Sequence, residues 1–288
     1  MVKTTINDEW KNYIHKQIKH GVNIKKLEDV LKKQNYNYDI INALLYPDKI
    51  ENNKVYFDVS NENPIIELTD SNDDNKITYI IYSENPIVKT YPDFLSDEEC
   101  KCFIDISKEN LKRALVSSND KGVISQGRSG KNTWIKHNFN DITKNVSKRI
   151  AKIVGIPLEN AEAFQIIHYD EKQEYRNHYD SWEHDNSEKT LRCMKYGGAR
   201  LMTALCYLNY VEKGGGTRLS KLNITIPADK RKLLVFQNTM SKDNHNRHPL
   251  SEHAGMPVEV GEKYAFNLWF RECPINMLYK ELNPDYYK

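Results

Sequence analysis

FQIIHYDEKQEYRNHYD, residues 164–180, is the stretch from which the rest of the chain can be read. Its opening, FQIIHY with Ala163 before it, is short, aromatic and β-branched, the composition of a strand. Its end, His178-Tyr179-Asp180, places two metal-capable side chains two positions apart. In a strand, residues i and i+2 point to the same face, so His178 and Asp180 can grip one ion together. The chain has nine histidines, and His245, His248 and His253 crowd a later stretch. One of those three would complete a set of two His and one carboxylate. Such a set holds one face of an octahedral ion and leaves three positions open, which suits Fe(II) that must also bind a cosubstrate and oxygen.

Outward from this stretch the pattern stays strand-like. RLMTALCYLNY (200–210), KLLVFQN (232–238), PVEV (257–260) and KYAFNLWF (263–270) are short apolar runs bounded by Gly, Pro and Asn. Upstream, ITYIIY (77–82) also reads as a strand. Ser96 and Glu99 form a capping box for a helix bearing Cys100, Phe103, Ile104 and Leu111. A second helix is predicted from about Asp141, with Ile142, Val146, Ile150 and Ile153 on one face, closed by Gly155 and Pro157. There is no βαβ alternation and no Gly-rich phosphate loop. The expected class is mainly β with supporting helices (α+β), a β-sandwich or jelly roll.

The N-terminal part has a different texture. Residues 1–47 predict a small helical accessory module: Trp10, Ile14 and Ile18 in one helix, Ile24, Leu27, Val30 and Leu31 in a second, and Ile40, Ile41, Leu44 and Leu45 in a third that Asn37 caps and Pro47 stops. Eight Lys face five acids there, whereas residues 48–78 carry eight acids against three Lys and read as an acidic linker. Residues 79–288 then read as the globular domain.

Five ordered motifs resemble the prolyl 4-hydroxylase family of Fe(II)- and 2-oxoglutarate-dependent dioxygenases: YPDFLSDEEC (91–100), GRSGKNTWI (127–135), FQIIHYDEKQEYRNHYD (164–180), GGARLMTALCYLNYVEKGGGT (197–217) and HAGMPVEVGEKYAFNLWFRE (253–272). The resemblance implies a double-stranded β-helix (jelly-roll) core. It implies His178, Asp180 and His253 as iron ligands, with His253 chosen because it precedes Lys263 by ten residues. Lys263 matches the cation that pairs with the distal carboxylate of 2-oxoglutarate, and Tyr169 and Thr217 match the hydroxyls beside it. Tyr175, Arg200 and Trp269 match peptide contacts, and Arg128 and Trp134 fall in a mobile loop that closes over substrate. The implied reaction hydroxylates prolyl residues of a peptide or protein and releases succinate and CO2, with Fe(II), 2-oxoglutarate and O2 required and ascorbate as an added reductant. The alternatives are the same machinery acting on a lysyl residue or free amino acid, or a catalytically silent binding module. Two positions depart from the family: Lys172 stands where a Gly is frequent, and Arg271 where a peptide-contacting His is frequent.

Composition narrows the partners. The net charge is +2 over 288 residues, which argues against a nucleic-acid coat. No apolar run approaches the ~20 residues of a bilayer span. The start, MVKTTINDEW, lacks an apolar signal core, and the cysteines are five and scattered. A cytoplasmic enzyme, cellular or virus-encoded, is the expectation, with a proline-containing peptide or protein as substrate and a partner protein for residues 1–47.

Overall fold

The computed structural model describes residues 6–19, 24–34, 36, 44–45, 55–57, 64–69, 78–118, 122–240 and 246–279. The chain divides into two units, Met1–Ile80 and Ile81–Lys288. In the first, helices α1 (Asp8–Lys19) and α2 (Ile24–Lys33) bury Ile14, Leu27 and Leu31 with Tyr36, Leu44 and Leu45. Trp10 closes this cluster against Tyr36, with ring centroids 6.2 Å apart. Leu44 and Leu45 are helical; the rest of the predicted third helix lies outside the described residues. The predicted linker holds more order than its composition suggests. Strands β1 (Val55–Phe57) and β2 (Pro64–Thr69) pair antiparallel within it, with Tyr56 opposite Ile65. Strand β3 (Thr78–Glu84) runs across the boundary.

The second unit contains, in chain order, β4 (Ile87–Tyr91), α3 (Asp97–Lys108), β5 (Lys112–Arg113), β6 (Val116–Ser117), β7 (Gly122–Val123), β8 (Lys131–Ile135), α4 (Asp141–Val154), β9 (Phe164–Tyr169) and β10 (Tyr175–His178). Then follow α5 (Glu188–Met194), β11 (Arg200–Tyr207), β12 (Lys213–Gly214), β13 (Thr217–Leu219), β14 (Ile224–Ile226), β15 (Leu233–Gln237), β16 (His253–Gly255), β17 (Val258–Val260) and β18 (Lys263–Arg271). In this unit the large antiparallel sheet runs β4-β15-β11-β18-β9-β8-β5, and a smaller sheet runs β10-β16-β13-β14. This is the jelly-roll-type arrangement expected from the strand pattern.

Period-2 side-chain alternation explains why the central strands are buried on both faces. Phe164 and Phe266 face the helices, where Phe103 of α3 meets them at 4.9 and 4.8 Å. Ile167, Tyr169, Leu205, Tyr207 and Ala265 face the other way, into a core shared with Leu219, Ile224 and Ile226 of the small sheet. The predicted capping box is formed: Ser96 Oγ accepts from the Glu99 amide at 3.1 Å and Glu99 accepts from the Ser96 amide at 2.9 Å. Such a cap is worth about 1 kcal/mol. Helix α4 is capped by Asn140 and ends at Gly155 in the left-handed region, φ 72°.

Candidate active site

Two strands and a bend converge on the metal-capable residues. His178 ends β10 and stands directly opposite His253, the first residue of β16. Asp180 lies in a bend two residues past the end of β10, so the picture of His178 and Asp180 on one strand face needs correcting. The bend still brings them together: Asp180 Oδ1 is 3.6 Å from His178 Nε2, and Oδ2 is 3.5 Å from His253 Nε2. One potential ligand atom from each of the three lies within 4.8 Å of the others. Of the other two candidates, His248 is spent as a local cap, accepting from the Leu250 amide at 3.1 Å, and His245 lies outside the described residues.

The donor set suits a divalent ion. His178 Nδ1 faces the Arg176 carbonyl at 2.8 Å and His253 Nδ1 faces the Ser251 carbonyl at 3.0 Å. Each Nδ1–H donating to its carbonyl leaves Nε2 as a lone pair, the tautomer a metal needs. Burial, with His178 alongside, pushes His253 down to about 4, so it is neutral near pH 7. Burial would raise the Asp180 carboxyl, but His253, His178 and Arg200 outweigh it and hold it well below the usual range. Tyr175 stacks on the His178 ring at 3.5 Å and fixes its plane.

A second group of charges joins His168 of β9 to Asp170, just past the end of β9, and Glu262, just before β18. It reads as an ion-pair cluster. Lys131 takes Asp170 at 3.3 Å, and His168 Nε2 meets Glu262 at 2.8 Å. Binding an ion at Nε2 would leave a proton on the buried Nδ1, which has no partner.

Lys263 is 1% exposed, at the start of β18 and opposite Tyr169 of β9. No carboxylate among the described residues pairs with it. Its Nζ lies 5.7 and 5.1 Å from the ring centres of Tyr169 and Tyr207. Burial lowers its pKa to about 7. Thr217, also buried, accepts from the Tyr207 hydroxyl at 2.7 Å. Gly214 and Gly215 (φ 80° and 69°) turn the chain into β13, which sets Thr217 opposite Gly255, two residues along from His253. Burial raises the Tyr169 phenol to about 12, against the opposing pull of the nearby Arg128 guanidinium. Gly130 allows the chain to pass over that ring, since a Cβ there would stand 2.5 Å from it. A buried lysine without a counter-charge, ringed by hydroxyls, fits one end of a dicarboxylate such as 2-oxoglutarate.

All eleven residues singled out in the sequence line one cleft of about 510 Å³. Three of them sit in different surroundings from those expected. Trp134 belongs to β8, in register with Gln165 of the large sheet, and is not in a mobile loop. Arg128 is buried just before it, donating to the Leu115 carbonyl at 2.8 Å and to Gln165 Oε1 at 2.9 Å. Arg200 is not a free donor for peptide. One edge of its guanidinium, Nε and Nη2, donates to Glu162 at 2.6 and 2.8 Å, Nη1 faces the Asp180 carbonyl at 3.5 Å, and the group covers Trp269 at 3.8 Å. Arg271, at the position of the family His, also binds Glu162 at 2.7 Å, and it donates to the Cys193, Tyr196 and Gly198 carbonyls. Burial would raise the Glu162 carboxyl, but the two guanidinium groups hold it at about 2.

Sequence reasoning missed Glu162, Tyr207, Thr203 and Asn238. Thr203 and Tyr207 did leave a signal: they are polar members, four apart, of the apolar run LMTALCY. Glu162 left none, because its partners lie 38 and 109 residues away.

Comparison with known proteins gives the same picture. Residues 164–271 match the 2OG-Fe(II) oxygenase superfamily. “Probable prolyl 4-hydroxylase 7” of Arabidopsis thaliana is 32% identical over an alignment covering 62% of this chain and 60% of that protein. Prolyl 4-hydroxylase subunit alpha-3 of Rattus norvegicus is 31% identical over 64% of this chain and 34% of that protein. The chain therefore spans less than two thirds of the length of either relative. Among solved structures, the viral collagen prolyl hydroxylase of Paramecium Bursaria Chlorella virus-1, in its 2OG complex, is similar with a TM-score of 0.52. It is 25% identical, and the match covers 64% of this chain and 95% of that one.

Proposed function

We propose that the chain is a member of the prolyl 4-hydroxylase family of 2OG-Fe(II) oxygenases, a reading its similarities support, and that it hydroxylates prolyl residues of a peptide or protein. One observation carries the reading: the His178, Asp180, His253 triad shares a cleft with a buried lysine that has no carboxylate partner among the described residues.

In this reading His178, Asp180 and His253 hold Fe(II), while Lys263, Thr217 and Tyr169 hold the distal carboxylate of 2-oxoglutarate. Once bound, the ion, 2-oxoglutarate and O2 supply the oxidising chemistry and yield succinate and CO2. The protein supplies orientation and a dry site. Lys263 in its ammonium form provides the counter-charge, and Tyr169 and Thr217 aim hydroxyls at the same carboxylate. Trp134, Trp182 and Tyr179 line the mouth of the cleft with aromatic surface suited to a proline ring. The strip Leu115, Val116 and Ser117 flanks it where a lid would close.

The test supplies purified protein with Fe(II), 2-oxoglutarate and a panel of peptides, with and without ascorbate. Succinate release matched by gain of one oxygen atom on proline is the expected result. A gain on lysine or on a free amino acid transfers the machinery to that substrate. Metal binding without 2-oxoglutarate turnover identifies a silent binding module.

We further assign residues 1–47 to recruitment of a partner protein, 48–78 to a connector and 79–288 to catalysis. Exposed Tyr13 (51%) and Val30 (40%), on helices that bury their other faces, support the first assignment. Tyr13→Asp with Val30→Asp is expected to slow turnover of a protein substrate and spare a short peptide. The five cysteines are all unbridged, which supports a reducing, cytoplasmic setting. Among the described residues no helix is long and apolar enough to cross a membrane.

A further inference from the structure

Asp180 Oδ2 accepts two hydrogen bonds inside the protein: from the Trp269 indole N–H at 2.8 Å and from the Thr203 hydroxyl at 2.7 Å. Both directions are fixed by chemistry. An indole N–H can only donate. The Thr203 oxygen already accepts from the Asn238 side-chain amide at 2.8 Å, so its own proton is free to turn to Asp180. All three residues are buried on the inner side of the large sheet, Thr203 opposite Trp269 across β11 and β18.

We propose that Trp269 and Thr203 are positioning residues for Asp180, saturating Oδ2 so that Oδ1 is the oxygen presented to the ion. The inference rests on the metal-centre reading of the triad and adds a role for residues outside it. Oδ1 faces His178 Nε2 at 3.6 Å and Oδ2 lies 3.5 Å from His253 Nε2, so it is the two internal hydrogen bonds to Oδ2 that distinguish the oxygens. The indole is itself held in place. Arg200 lies over it at 3.8 Å, Glu162 binds Arg200 through both oxygens, and Arg271 binds Glu162 from the other side. Arg271 braces the stack through Glu162. Trp269 thus does more than pack substrate: its face lines the cleft and its edge orients a ligand.

The experiment measures Mn2+ affinity of the full chain by calorimetry and electron paramagnetic resonance, without substrate or turnover. Trp269→Phe keeps an aromatic ring and loses the N–H; Thr203→Val keeps the shape and loses the hydroxyl; Thr203→Ser keeps the donor. The first two are expected to weaken Mn2+ binding about 10- to 100-fold, and Thr203→Ser to retain wild-type affinity. In the wild type, the Trp269 indole N–H resonance is expected to shift when Zn2+ is added. Wild-type Mn2+ affinity in both Trp269→Phe and Thr203→Val overturns the proposal, as does weakened peptide binding as the sole effect of Trp269→Phe. If the wild type itself binds no Mn2+, the metal-centre reading fails and takes the inference with it.

Discussion

The metal triad and the Lys263 corner share one cleft, yet they are built on opposite plans. Around the triad the protein satisfies its own polar groups: two backbone carbonyls meet the His178 and His253 Nδ1 atoms, and two donors meet Asp180 Oδ2. Around Lys263 no counter-charge is supplied among the described residues, and burial lowers its pKa to about 7. The first plan orients ligands before anything binds. The second stores an unfavourable buried charge that a carboxylate ligand relieves.

Removing a triad ligand should break the comparison most severely. His178→Ala or Asp180→Ala is expected to abolish both Mn2+ binding and 2-oxoglutarate-dependent hydroxylation. Residual turnover above background in either purified variant would refute the ligand assignment. Lys263→Ala should act on the other half alone. Mn2+ binding should persist, and 2-oxoglutarate binding should weaken roughly 100-fold, which at 1.4 kcal/mol per tenfold falls within the range for hydrogen bonds to charged groups. An unchanged requirement for 2-oxoglutarate would remove Lys263 from its role.

The two halves also differed in how far the sequence revealed them. Lys263, Thr217 and Tyr169 lie on regular strands, where period 2 and register carry a side chain to a known face; Lys263 and Tyr169 are cross-strand partners. Asp180, by contrast, owes its place to a bend beyond the end of β10, and strand geometry gives no account of that. Arg200 reaches the cleft because β11 has an irregularity between Arg200 and Met202, which re-aims one side chain. Trp134 misled because GRSG reads as a loop, although the next five residues form β8. Local pattern revealed the strands, the helix caps and the His178–Asp180 pair, while the choice of His253 and the role given to Lys263 came from the resemblance. The bracing of Trp269 by Arg200, Glu162 and Arg271 depended on contacts far apart in the chain.

A pH series sharpens the contrast at smaller amplitude. Lys263 is charged below pH 7 in the empty cleft and loses its proton as pH rises through that value. Only the ammonium form pairs with a carboxylate, so 2-oxoglutarate affinity should fall by roughly tenfold between pH 6.5 and 8. In Lys263→Arg the charge persists across the range, so whatever affinity that variant has should stay flat. Equal slopes in the two proteins would show that another group sets the dependence.

Protein stability tests the stored cost directly. Lys263→Met replaces the lone buried cation with an apolar side chain of similar length, and the ligand-free protein should become more stable by about 1–4 kcal/mol. For a unit of this size that is a rise of several degrees in Tm. The sign with pH follows from linkage. In the folded chain Lys263 titrates at about 7, in the unfolded chain near its ordinary 10.5, so the unfolded state holds the extra proton between them. Wild-type stability therefore climbs with pH across that window. The advantage of the Met variant should be largest below pH 7 and shrink above it. Adding Mn2+ with 2-oxoglutarate should reverse the order, because the ligand stabilises the protein that binds it more tightly. A Lys263→Met protein that is less stable at every pH, with or without ligand, would make Lys263 a structural residue like those around the triad and erase the distinction between the two halves of the cleft.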